Sequence, residues 1–233
     1  MLAHRKTLVA VLAGAGLCVA FLTVYLCRAT LFELWYESQL RSDDPEARRR
    51  AAEALLGMSS IRSLAILLEY VEHPNPRDDP NAPVGELDIR RFGKVVAARG
   101  SAVVPQLREA LGSKSAKVRW NAARILSRMG PAAAGAAVEL GAALRDPDDA
   151  VRTTAAHTLR RLGPEARGAL AALSGALSNP GLDDDIRWCT AEALGEIGPA
   201  AESAIPALEE ATRADDHDLR AAASEALRRI RGE

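Results

Sequence analysis

VRWNAARILSRMGP at residues 118–131, VRTTAAHTLRRLGP at 151–164 and IRWCTAEALGEIGP at 186–199 superpose without a gap, starting 33 and then 35 residues apart. A fourth start, LRAAASEALRRI, falls at Leu219, again 33 residues on. Self-similarity at a fixed period of this length marks a repeat architecture. In the first stretch Val118, Ala122, Ile125, Leu126 and Met129 share one face at helical spacing. Gly130-Pro131 then ends that helix and starts the next, because glycine supplies the left-handed residue after a helix and proline is tolerated in the first turn of the following one. The dipeptide recurs at Gly163-Pro164 and Gly198-Pro199, so each unit is a pair of helices.

The second helix of each pair has its own register. Val104, Ala137, Leu170 and Ile205 correspond, followed three residues on by Leu107, Leu140, Leu173 and Leu208. Leu111, Leu144 and Leu177 complete the stripe, and Thr212 departs from it. One amphipathic pair cannot bury its apolar face alone, so neighbouring pairs must stack. Two weaker copies, ARRRAAEALLGM from Ala47 and IRRFGKVVAARG from Ile89, lack Gly-Pro and bring the expected count to five helix pairs and a terminal half. Residues 72–88, with four prolines, interrupt the period as either a tolerated solvent loop or a functional one.

D-x-D-x-x-V-R, A-A-x-x-L and G-P at matching places make residues 45–233 resemble the HEAT-repeat family, in particular the short bacterial HEAT-like repeats also found in phycobilisome lyases. The resemblance implies an all-α, right-handed α-solenoid that binds other proteins, and the repeat alone implies no chemistry. The alternative it leaves open is a chromophore-lyase-like or other enzyme-associated repeat factor.

Outside the repeats, residues 8–27 are 20 consecutive residues without a charge, enough at about 1.5 Å each to span a bilayer. A cleaved signal would be shorter and end in a small-x-small site, so the expectation is a retained single-pass anchor after a short basic tail, residues 1–7. Arg5 and Lys6 place that tail in the cytoplasm and the repeats on the extracytoplasmic, periplasmic side. LFELWYESQL, residues 31–40, falls in a juxtamembrane segment, 28–44, and suits either a membrane interface or a cover for the first repeat. Thirty basic against 31 acidic residues give a net charge of −1, which argues against nucleic-acid binding through overall charge. Three cysteines, two of them in the apolar run, provide no disulfide framework for the repeats.

The recurrent polar residues read as scaffold. Arg90, Arg119, Arg152, Arg187 and Arg220 sit at the second position of successive first helices, where they can pair with loop acids of neighbouring repeats. Aspartates in three of the loops before first helices (Asp146, Asp148, Asp149; Asp183 to Asp185; Asp215, Asp216, Asp218), with Lys114 and Lys117 in the loop before Val118 instead, suit helix caps better than calcium, because no calcium-loop spacing is present. No histidines fall at metal-ligand spacing, His157 occupies an expected exposed position, and Cys189 has no nearby histidine in sequence. No catalytic, cofactor or metal residues are therefore expected. Partner binding is expected at two places. Residues two and five after the start of each second helix (Gln106 and Glu109, Glu139 and Ala142, Ala172 and Gly175, Ala207 and Glu210) form a smooth face with an acidic rim, suited to an apolar helix or segment with basic flanks. Trp120 and Trp188 share one position two repeats apart and project away from the core, as interface aromatics would.

Overall fold

The computed structural model describes residues 31–57, 61–70, 96 and 99–233. These divide into two compact units, one up to Ile66 and one from Leu67 to Glu233. All described elements are helical.

The first unit holds α1 (residues 31–40), α2 (Pro45–Gly57) and the start of α3 (Ile61–Tyr70). In the first turns of α1 Leu31, Phe32, Leu34 and Trp35 are exposed while Glu33 is buried with its carboxylate 3.6 Å from Arg62, and at the end of the helix Leu40 is buried. At the start of α2, Asp44 accepts from the Glu46 backbone N–H and Arg48 donates to the Ser42 carbonyl at 2.8 Å.

The second unit carries the clear repeats. Its first helices are α5 (Ala116–Met129), α7 (Asp149–Leu162), α9 (Asp184–Ile197) and α11 (His217–Arg231). Its second helices are α4 (Val104–Leu111), α6 (Ala137–Ala143), α8 (Leu170–Leu177) and α10 (Ile205–Ala211). Successive first helices pack side by side, each against the second helix of the preceding unit, and within a unit against the short segment that joins it to its own second helix. The leucine stripe is the core: Leu107, Leu140, Leu173 and Leu208 are fully buried.

Helix entry follows the capping chemistry expected of the aspartates. Asp148 accepts from the Val151 N–H and Asp216 from the Leu219 N–H, with Ser115 taking the same role before α5. The arginines differ from expectation. Only Arg119 reaches the acid of the next loop, Asp146, at 2.6 Å. The common contact is to the chain's own preceding loop: Arg119 to the Ser113 carbonyl, Arg152 to Asp146, Arg220 to Ala214 and, in α2, Arg48 to Ser42, all six residues upstream. Arg48 in α2 thus makes the same six-residue contact as the arginines of the second unit. Arg187, with a longer loop before it, reaches Leu177 instead.

The Gly-Pro turns also differ. Gly130, Gly163 and Gly198 have φ of 55°, 59° and 69° with ψ of −136°, −132° and −144°, a region open to glycine alone rather than the ordinary left-handed helical one. Proline does not start an α-helix directly. Seven-residue 3-10 segments intervene at Gly130–Ala136 and Gly163–Ala169, and at Gly198–Ala204 two 3-10 turns meet at a kink at Ala201. Residues three apart eclipse in a 3-10 turn, and the buried pairs Ala133 and Ala136, Ala166 and Ala169, Ala201 and Ala204 use that to pack closely.

The expected membrane topology is corrected: among the described residues no helix is long and apolar enough to cross a membrane. The 1–7 tail, the 8–27 run, the 72–88 loop, Arg90 and most of the copy from Ile89 lie outside the described residues.

Candidate partner-binding surface

The second helices are short, and their outward side is set by the buried leucines. With Val104, Leu107, Ala110 and Leu111 inward on α4, the residues opposite are Pro105 and Glu109. The equivalents are Val138 and Ala142 on α6, Ala171 and Gly175 on α8, and Pro206 and Glu210 on α10, and all eight are exposed. Pro105, Val138, Ala171 and Pro206 thus form an apolar row, one residue round from the expected face. Val138, 63% exposed, is the one large hydrophobic so exposed among the described residues of this unit.

The residues of the expected face divide by exposure. Glu109, Ala142, Gly175 and Glu210 are on the outside, whereas Gln106, Glu139, Ala172 and Ala207 are half-buried. Ala172 lies against the preceding repeat: a Cβ built on the buried Gly141 would come within 3.0 Å of its methyl group. The acidic rim is also reduced, because Arg108 donates two hydrogen bonds, 2.8 and 2.5 Å, to one Glu139 oxygen. The other Glu139 oxygen is buried and has no hydrogen-bond partner among the described contacts. The apolar row escaped the sequence reading although its signal was present, as a column without a charge beside the leucine column in four successive second helices.

On the first helices the two tryptophans are half-buried rather than exposed. The Trp120 indole donates to Thr154 of the next repeat at 2.9 Å and carries the Arg124 guanidinium 5.0 Å over its ring. Trp188 lies under Arg160 at 5.2 Å, and Arg160 also bonds Glu192 at 2.9 Å. Cation and ring cover each other, which removes part of the sticky surface expected there.

His157 is half-buried, not exposed, and stacking brings Cys189 to it: Sγ lies 3.3 Å from Nδ1 although the two are 32 residues apart in sequence. Burial pushes the Cys189 thiol up to about 11. Burial also lowers His157, helped by Arg160 and opposed by Asp185 and Glu192. At neutral pH the pair is thus a neutral thiol beside a neutral imidazole, without the thiolate that nucleophilic catalysis needs. Among the described residues no group of three or more His, Cys, Asp or Glu side chains is placed to hold a metal ion.

Residues 137–228 match the family described as HEAT repeats. These HEAT-like repeats cover α6 to the greater part of α11, the most regular portion of the chain. Similar solved structures include an engineered protein at 18% identity, TM-score 0.53, with 86% of this chain and 96% of that one covered. A designed armadillo repeat protein in complex with the peptide (KR)4 is similar at 18% identity and TM-score 0.51, covering 84% of this chain and 98% of that one. The complex of CpcE and CpcF of phycocyanin lyase from Nostoc sp. PCC7120 is similar at 25% identity over 70% of each chain, with a TM-score of 0.48 too low to bear on function. No curated protein matches the sequence. Among the described residues the fold is an all-helical repeat array similar to those of HEAT and armadillo repeat proteins.

Proposed function

We propose that the chain is a protein-interaction scaffold, without catalytic activity of its own, that receives a partner segment along its second helices. The observation that carries this is the exposed apolar row across four successive repeats with Val138 at its centre. A row of apolar side chains on rigid helices, repeated in register, is a surface on which an extended or helical segment gains contact area at each step. The (KR)4 peptide held by the designed armadillo protein of similar fold supports a peptide-like occupant by analogy. Around the row, Glu109, Ala142, Gly175 and Glu210 form the contact floor, with Gln106, Glu139, Ala172 and Ala207 at its edge and Trp120 and Trp188 as a secondary surface on the first helices. The domain plan that goes with this reading is one right-handed solenoid of five helix pairs and a terminal half over residues 45–233, interrupted at 72–88.

The test is the double variant Val138→Glu, Ala142→Arg, both at exposed positions. Its thermal midpoint should match wild type, the change in stability staying within about 0.5 kcal/mol. Quantitative mass spectrometry of proteins retained by the immobilised full chain should show at least one specific partner reduced ten-fold or more by the variant. Equal recovery of every partner by a normally folded variant would contradict the reading.

A further inference from the structure

We infer that a cavity between α1 and α2, apart from the second-helix surface, is a binding site for a small planar aromatic carboxylate. Trp35, Tyr36 and Gln39 share one side of α1 at helical spacing, and Ala47, Arg50 and Ala51 share one side of α2. These six residues line a cavity of about 400 Å³, within the ~300–1,000 Å³ of small-molecule sites. The space arises where two alanines four apart on α2 stand opposite aromatic residues, in place of side chains large enough to fill it. The aromatic wall is held by its own contacts. The Trp35 and Tyr36 rings meet edge to face with centroids 4.8 Å apart, and Phe32 stacks on Tyr36 at 6.4 Å. Trp35 stays 55% exposed, which leaves indole surface for a second planar ring.

The polar groups of the lining select the substituent on that ring. The Trp35 indole N–H, the Tyr36 hydroxyl and the Gln39 amide make no hydrogen bond among the described residues. Arg50 is the one charged residue in the lining. Its Nε donates to the Glu46 carbonyl at 3.2 Å, but its terminal nitrogen stands 3.9 Å from Asp44, beyond hydrogen-bond reach. Asp44 instead accepts from the Glu46 backbone N–H, and Glu46 and Glu53 both bond Arg49. The terminal fork of Arg50 is thus without the bidentate acid it is shaped for, and a ligand carboxylate at hydrogen-bond distance supplies one. A cationic ligand would meet Arg50 at close range, and a neutral ring would leave the donors of the fork unmet.

Isothermal titration calorimetry of the full chain with 2-naphthoate, its neutral amide 2-naphthamide and the cationic 2-naphthylmethylamine tests this. The carboxylate should bind at one site, at least ten-fold tighter than the amine and three-fold tighter than the amide. Arg50→Met should bring the carboxylate down to the affinity of the amide and change the amide less than two-fold, whereas Trp35→Ala should weaken both five-fold or more. Both side chains are largely exposed, so the thermal midpoints should stay at the wild-type value. Val138→Glu, in the other unit, should leave carboxylate binding unchanged, which keeps this site separate from the partner surface. No binding of 2-naphthoate, tighter binding of the amine, or carboxylate binding that survives either Arg50→Met or Trp35→Ala undiminished overturns the inference.

Discussion

Gly195 and Gly175 show how one substitution takes opposite signs in one fold. A Cβ on Gly195 would lie 3.0 Å from the Ala226 Cα, a backbone atom of the next first helix that cannot move alone. A Cβ on Gly175 would meet only the tip of the Arg145 side chain. Gly195→Ala should therefore destabilise by about 1–3 kcal/mol through overpacking, while Gly175→Ala should be neutral or stabilise by up to about 1 kcal/mol, because helical glycine carries excess unfolded-state entropy. Urea unfolding of the two variants checks this, and equal effects would contradict the close approach of α9 and α11. His157 makes a second prediction at this scale. Burial holds it below its ordinary value of about 6.5, so as pH falls the unfolded chain takes up the proton first. The associated stability is complete above about pH 6.5 and is lost as pH falls from there through the lowered folded value. His157→Gln should flatten that part of the stability profile; an unchanged slope would remove His157 as its source.

The helix entries give matched controls at the scale of the element. Asp216 accepts from the Leu219 N–H at 2.7 Å, whereas Asp183, at the same place before α9, makes no side-chain cap. Asp216→Ala should cost about 1 kcal/mol and Asp183→Ala distinctly less, by thermal or urea unfolding. Arg119 joins elements more firmly: its side chain and that of Asp146 are both nearly buried, and two hydrogen bonds of 2.6 and 2.7 Å link them. Burial raises Asp146, but the bonds from Arg119 and the Asp148 backbone outweigh it and hold the carboxyl below its usual range. Arg119→Met should cost roughly 3 kcal/mol, since it leaves a carboxylate buried without its cation. The exposed pair Arg229 and Glu196 should cost less than about 1 kcal/mol to break.

For the whole molecule, the repeat was legible wherever a single helix determines the pattern. The leucine stripe and the Asp148 and Asp216 caps depend on local spacing, and local spacing is what a sequence displays. Contacts between repeats were less legible, since stacked helices meet diagonally. Cys189 aligns with Thr154, yet it touches His157, one helical turn further along the preceding first helix. Arg108 finds Glu139 by the same kind of offset, and that pairing neutralised the acidic rim. The seven-residue 3-10 connections were hidden because proline's fixed φ suits an α-turn and a 3-10 turn alike, and the ψ that redirects the chain belongs to a glycine, which accepts either. The first turns of α1 show the limit of amphipathic reasoning, for there Glu33 is buried and Trp35 exposed.

Amide hydrogen exchange of the full chain, alone and with the partner it retains, tests the central claim most directly. The account predicts new protection in the second helices, residues 104–111, 137–143, 170–177 and 205–211, strongest around Val138. Protection confined to the first helices around Trp120 and Trp188, with none in the second helices, would contradict it.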